Sequence, residues 1–184
     1  MSNLITPLEP MPPIPIGDKH PGAFGINRHE HVHTGVDLYA PYGCPVRAME
    51  KGKIIAIDWF TGPSIKMSWW NDTRAVYIEG ETGVFNYGEI QEFSNLKVGD
   101  IVEQGQYIGY VLTVLKKYKG RPMSMLHLEL YDNGFIDTWG EWKIGEPKPE
   151  HLKDPTWILA ETSKDLCYCD PYIDSVKTFQ LEKK

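Results

Sequence analysis

Two histidines and an aspartate carry the chemistry this sequence can offer. His33 and Asp37 lie in the stretch His33-Thr34-Gly35-Val36-Asp37-Leu38-Tyr39-Ala40-Pro41, and His127 lies far downstream in Met125-Leu126-His127-Leu128-Glu129. Imidazole nitrogens and carboxylate oxygens are donors that Zn2+ takes. Two His and one carboxylate leave a fourth position for water, which separates an open, catalytic site from a closed, structural one. That combination suits hydrolysis by metal-activated water. If Met125 to Tyr131 is a strand, side-chain alternation puts Met125, His127 and Glu129 on one face. Glu129 is then placed to orient an imidazole from behind or to pair with Arg28.

A second pattern in the same region points elsewhere. His29-Glu30-His31-Val32-His33 matches H-E-x-x-H, which binds zinc when a helix projects both His from one face. Gly25 and Gly35 bracket the match, and no amphipathic run continues it. A segment that short does not hold a helix alone. The expectation is a loop, with His29 and His31 beside the site and His31 a weak candidate to donate or accept a proton.

The elements that must position these residues read as strands. Pro45 to Met49, Lys53 to Phe60, Ile65 to Trp70, Arg74 to Glu79, Gly83 to Ile90, Tyr107 to Val114 and Met125 to Tyr131 are rich in β-branched and aromatic residues, and Gly, Asp or Asn punctuates most of them. Only Glu150 to Leu159 hints at helix, limited by Pro155. Strand starts roughly 8–12 residues apart indicate a mostly β chain, an antiparallel sandwich or barrel. Residues 1–20 form an extended Pro-rich arm, 21–160 the folded domain and 161–184 a C-terminal tail.

The chain has 184 residues, enough for one domain, and 41% apolar residues, enough for a core. Its net charge of -6 argues against a nucleic-acid partner, and no apolar run approaches the ~18 residues of a membrane span. Met1 to Pro7 has neither a basic nor an apolar segment of a secretion signal. Cys44, Cys167 and Cys169 do not make a disulfide framework and read as reduced thiols.

These motifs together resemble the lysostaphin/LytM-type zinc peptidases, which cleave peptide cross-links of peptidoglycan. His33 to Ala48 is close to the family's first metal motif, H-x-G-x-D with its Ala-Pro-x-Gly continuation. Phe24-Gly25-x-x-Arg28, Gly52-Lys53-Ile54, Leu96 to Gly109 and Asp154-Pro155-Thr156 match further segments in order. Leu126-His127-Leu128-Glu129 resembles the last motif, normally H-L-H-F-E. The resemblance covers about residues 24–159. It implies a mostly antiparallel fold of the duplicated hybrid motif type, with zinc held by His33, Asp37 and His127.

Two positions depart from that pattern. The His that precedes the last ligand by two residues is Met125 here, and the His of a Y-x-H-L stretch is Glu89, in Tyr87-Gly88-Glu89-Ile90. Those two His serve proton transfer and oxyanion stabilisation. Glu89 is then the candidate general base of an endopeptidase acting on peptidoglycan. The alternative is a catalytically inactive, zinc-containing module that binds peptidoglycan or peptide. Tyr87, Arg28 and Trp139 are candidates to face substrate, although Tyr87 and the Trp139-Gly140-Glu141-Trp142 aromatics fit core packing equally well. A wall substrate and no visible signal together imply cytoplasmic synthesis, with carriage in a phage particle or release on lysis.

Overall fold

The structure, a computed structural model, describes residues 4–29, 31–135 and 141–163. Its strands are β1 (Asn27–Arg28), β2 (His31–Val32), β3 (Val36–Tyr39), β4 (Pro45–Arg47), β5 (Gly52–Thr61), β6 (Thr73–Gly80), β7 (Val84–Glu92), β8 (Ile101–Val102), β9 (Tyr107–Val111), β10 (Met125–Tyr131) and β11 (Leu152–Lys153). One helix, α1 (Thr156–Thr162), follows. The chain is mostly β, and every pairing is antiparallel.

β1 and β2 form a small hairpin, and the other strands form one sheet with β10-β7-β6-β5 at its centre. On β10 the alternation is clean: Leu126, Leu128 and Leu130 face the main core, where they meet Val36, Leu38, Phe85 and Tyr87. The opposite face carries Met125, His127, Glu129 and Tyr131. β3 pairs with one edge of β10 so that Asp37 lies directly opposite His127. β7 pairs with the other edge, placing Gly88 opposite His127 and Asn86 opposite Glu129. The rows Asp37–His127–Gly88 and Glu129–Asn86 are therefore set by strand register.

β7 is not regular throughout. Val76 of β6 pairs with Tyr87 and Arg74 with Ile90, so one residue on β6 stands against two on β7. This β-bulge puts Glu89 at φ 63, a left-handed backbone that costs a non-glycine residue on the order of 1–3 kcal/mol. Bulges re-aim side chains, and this one turns Glu89 away from the face that Tyr87 occupies.

Several expectations need correction. Ile65 to Trp70 is not a strand: Gly62 (φ 100) and Pro63 open a single 3-10 turn at Pro63–Ile65, and the chain then runs as a loop to a lone bridge between Trp70 and Leu115. The helix does not begin at Glu150. Residues 152–153 pair with β10 instead, and α1 starts only after Pro155, whose ring cannot sit inside a helix. The described residues of the His29 to His33 segment are not helical, as its flanking glycines indicate. His29 sits at φ 46 in a turn, and His31–Val32 pairs with Asn27–Arg28. The proline-rich arm lies along the domain and contributes to it: Leu8 is wholly buried in the core, and Arg47 binds the Thr6 carbonyl through Nε at 2.8 Å. The last residues, 164–184, with Cys167 and Cys169, lie outside the described residues. Cys44 is a free thiol. No helix among the described residues is long and apolar enough to cross a membrane.

Candidate metal centre

His33, Asp37 and His127 converge, and all three are buried. His33 Nε2 lies 3.2 Å from His127 Nδ1, His127 Nδ1 lies 2.9 Å from Asp37 Oδ1, and His33 Nε2 lies 3.1 Å from Asp37 Oδ1. Tetrahedral zinc with bonds of ~2.0–2.1 Å holds its ligand atoms ~3.3 Å apart, so the triangle has the size that ion needs.

The outer atoms of each ligand fix what the inner ones present. His33 Nδ1 donates to the Ala23 carbonyl at 2.8 Å, and a carbonyl only accepts. His127 Nε2 donates to Glu129 Oε1 at 3.0 Å. In the neutral rings, His33 Nε2 and His127 Nδ1 therefore carry lone pairs, and both point at the inner oxygen of Asp37. The other oxygen of Asp37 accepts from Arg28 Nη2, and Arg28 is held in turn by Nε–H donation to the Pro21 carbonyl at 3.0 Å. Three lone pairs directed at one point fit a cation there.

Glu129 is buried and accepts from four groups: Thr34 Oγ1 at 2.5 Å, His127 Nε2, Asn86 Nδ2 at 2.6 Å and Tyr131 OH at 2.9 Å. Burial alone would raise its carboxyl, but these donors and the His127 charge outweigh it and hold it down at about 2. Burial likewise works to lower His127, yet the hydrogen bonds to Asp37 and Glu129 raise it to about 10. Burial lowers His33. Gly35 explains the glycine in the motif. A Cβ there would lie 2.5 Å from the Leu128 carbonyl oxygen and 2.7 Å from His127 Nε2.

The centre opens into a groove of about 200 Å³. One wall is the β1–β2 hairpin with the segment it pairs to: Val32 N–H donates to the Trp142 carbonyl at 2.7 Å, and His31 bridges Lys143. The other wall is the loop after β5, which presents Ile65, Met67 and Trp70. Phe60 forms part of the floor, its ring 5.1 Å from that of His127. Gly88 admits it, since a Cβ there would lie 2.6 Å from Phe60 Cε1.

Glu89 lines this groove while being buried, and its Oε2 has no hydrogen-bond partner. Burial first, then the Asp37 charge, pushes its carboxyl up to about 8. It does not join His33, Asp37 and His127 in the cluster whose donors all lie within 4.8 Å of one another. Among the other sequence-selected residues, His31 and Arg28 line the groove. Arg28 is committed to Asp37 rather than to Glu129 or to an open position. Tyr87 does not reach the groove: it is wholly buried, and its hydroxyl accepts the Met49 N–H at 2.9 Å. Two residues apart on a regular strand, Tyr87 and Glu89 would share a face, and the bulge separates them. Trp139 lies outside the described residues, and Trp142 stands in the groove wall. Met125 is buried on the same strand face as His127. Sequence reasoning missed Asn86, Phe60 and Thr34. Asn86 alone had a readable signal, as a polar residue inside an apolar strand.

A cluster able to hold a metal ion on an antiparallel sheet, with a carboxylate in the adjoining groove, suits a metallopeptidase. Residues 31–137 match peptidase family M23, and the chain belongs to that family. It is 34% identical over 91 residues to lysostaphin of Staphylococcus staphylolyticus, a match covering 48% of this chain and 17% of that protein. It is also 34% identical over 92 residues to the glycyl-glycine endopeptidase ALE-1 of Staphylococcus capitis, covering 49% of this chain and 22% of the relative. The match thus spans about a fifth of these relatives' own length. Among solved structures, lysostaphin from Staphylococcus simulans superposes with a TM-score of 0.54 at 21% identity, over 91% of this chain and 53% of that one. LytU superposes with a TM-score of 0.54 at 22% identity, over 79% and 87%. These likenesses are of fold.

Proposed function

We propose that this protein is a zinc endopeptidase that hydrolyses peptide bonds in bacterial peptidoglycan, with Glu89 as its general base. The observation that carries this reading is the unpaired, buried Oε2 of Glu89 in the groove beside His33, Asp37 and His127. A buried carboxylate oxygen with no donor is costly to keep, and this one lines the same groove as His33 and His127, which supports a role as proton acceptor. Membership of the peptidase family and likeness to lysostaphin and ALE-1 support the substrate class.

His33 Nε2, Asp37 Oδ1 and His127 Nδ1 would hold the zinc ion, which when bound acidifies water and polarises a carbonyl. The residues around it do the rest. The Ala23 carbonyl and Glu129 fix the two imidazole tautomers, and Arg28 occupies the outer oxygen of Asp37. Phe60, its ring 5.1 Å from that of His127, backs the imidazole from the groove floor. The peptide lies along the groove between the Trp142 wall and the Ile65–Trp70 wall. Glu89 takes the proton of the attacking water on Oε2 and returns it to the departing amine nitrogen.

The second reading, a module that binds wall peptide without cutting it, draws on Met125. An apolar thioether stands in the position of a family His on the His127 face, so Glu89 has no histidine partner there. One experiment separates the two. New amino termini released from purified peptidoglycan are measured for the parent and for Glu89→Gln, each with zinc content determined and each with and without chelator. The peptidase reading expects release by the parent, abolition by chelator and a fall of about 10²–10⁴-fold in Glu89→Gln with zinc retained. No release by zinc-loaded parent establishes the binding module, and undiminished release by the variant removes Glu89 from the chemistry.

A further inference from the structure

The loop between β9 and β10 carries a charge pattern unlike the rest of the chain. Between Leu112 and Ser124 the sequence holds Lys116, Lys117, Lys119 and Arg121 and no acid, in a chain of net charge -6. The other three arginines are spoken for: Arg28 by Asp37, Arg47 by Glu9 and Arg74 by Glu92. Lys117, Lys119 and Arg121 have no hydrogen bond or ion pair among the described residues, and Lys116 Nζ donates only to the Ser68 carbonyl, at 2.8 Å. Tyr118 is 74% exposed at the tip, and Trp69 is 62% exposed on the neighbouring loop.

This loop is built into the groove. Its first strand leaves the site directly, since Leu112 N–H donates to the Glu89 carbonyl at 3.1 Å. Its sides are closed by Val114 N–H to the Met123 carbonyl at 2.9 Å and by the Thr113 and Ser124 hydroxyls at 2.9 Å. It is then zipped to the loop that forms the groove wall. Asn71 N–H donates to the Val114 carbonyl and Asn71 Nδ2 to the Thr113 carbonyl, each at 2.8 Å, and Trp70 bridges Leu115. The inner side of that wall is Ile65, Met67 and Trp70. The wall loop adds Lys66, exposed and with no ion pair among the described residues, while its one acid, Asp72, accepts the Ser64 N–H at 2.8 Å. A chain leaving the groove over this wall therefore meets four or five cations and no free anion.

We propose that residues 115–121 form a docking arm for the carboxylates of an acidic peptide substrate, gripping the part that extends beyond the metal centre. This rests on the peptidase reading of the groove and adds to it the charge of the substrate. Several clustered cations suit repeated carboxylates along a peptide network. They raise the local concentration of an anionic chain and speed its encounter, an effect that salt screens. The aromatic rings of Tyr118 and Trp69 add contact area beside the charges.

The test crosses loop charge with substrate charge. Soluble peptidoglycan fragments are used with their carboxylates intact and, separately, after carbodiimide amidation. They are bound to zinc-loaded Glu89→Gln protein, with and without the added changes Lys117→Gln, Lys119→Gln and Arg121→Gln. The added changes should weaken binding of intact fragments about tenfold at low salt. They should leave binding of amidated fragments unchanged, and the difference should vanish at high salt. In the parent background the same three changes should raise KM for intact fragments with kcat unaltered.

Equal binding of intact fragments with and without the loop charges overturns the proposal. So does an equal loss for intact and amidated fragments, which would mean a damaged fold. Loop-dependent binding of a phosphodiester polymer, teichoic acid or DNA, without loop-dependent binding of the fragments, overturns it in favour of that partner. If the fragments bind in the charge-dependent way but the parent releases no amino termini, the docking arm stands and the endopeptidase reading fails.

Discussion

Glu129 sits two residues beyond His127 on β10, and its Oε1 accepts the His127 Nε2–H at 3.0 Å. That bond, on the side of the ring away from the centre, makes Nδ1 the nitrogen that faces Asp37 and His33 and the one that carries the lone pair once the ring is neutral. Glu129 in turn is fixed by Thr34, from the first metal motif, and by Asn86 and Tyr131. The two motifs are thus joined behind the metal centre as well as through it. Replacing Glu129 with Ala frees the ring to rotate and change tautomer, and removes the shared acceptor of Thr34, Asn86 and Tyr131. Metal affinity should fall about 10–100-fold, measured by competition against a chelator of known affinity. Unchanged affinity would show that ring orientation is set by packing on Phe60 and His33 alone.

Gly35 is a steric requirement of the same junction. A Cβ at this position meets a backbone oxygen at 2.5 Å and the His127 ring at 2.7 Å, and neither can withdraw without moving β10 or the metal ligand. Gly35→Ala should destabilise the metal-free fold by about 1–3 kcal/mol and lower metal affinity as well, read by denaturant unfolding and chelator competition. A stability loss without an affinity loss would show that β3 yields rather than His127.

Gly88 makes the matching requirement on the other side of His127. Gly88→Ala would push its Cβ to 2.6 Å from the Phe60 ring, and the ring would have to leave its place 5.1 Å from His127. Peptide hydrolysis should fall while bound zinc stays near one equivalent. Phe60→Leu in the same protein, by removing the clash, should recover stability. If Gly88→Ala hydrolyses peptide like the parent, the position of the Phe60 ring beside His127 has no part in the reaction.

How much of this was legible beforehand depended on whether a feature was local. His33 and Asp37 announce themselves because one tight motif holds both, and β10 reads correctly because its leucines alternate with site residues over seven positions. Glu89 was found by its place in Tyr87-Gly88-Glu89-Ile90, but its direction was not. Period-two counting puts it with Tyr87, and only the pairing of β7 with β6 reveals the bulge that separates them. β3, β8 and β11 are too short to show periodicity and exist because longer neighbours accept them. Ile65 to Trp70 misled for the opposite reason. Its apolar residues are those of a strand, yet they line a groove wall, and Gly62 and Pro63 decide the backbone.

The protonation of the centre gives a test that needs no substrate. In the metal-free protein Glu89 is raised to about 8 and His127 to about 10. From about pH 7 upward an unfolded chain carries neither proton, because ordinary Glu and His have already lost theirs. The folded protein binds more protons than the unfolded one in that window, so its stability must fall as pH rises through these two values. Glu129, held at about 2, and His33, lowered by burial, are deprotonated in both states there and do not oppose the trend. His33, Asp37 and His127 could hold zinc only with His127 stripped of its Nδ1 proton, and a cation there would favour the Glu89 anion. Stabilisation by zinc should therefore grow from pH 7 to 9 while the metal-free protein weakens, with proton release on binding. Thermal unfolding with and without zinc across that range checks the first part. Calorimetry in buffers of different ionisation enthalpy counts the protons. A metal-free protein whose stability rises from pH 7 to 9, or zinc binding that releases no proton, would mean that His127 is already neutral and the Asp37–His127–Glu129 row does not hold its charge.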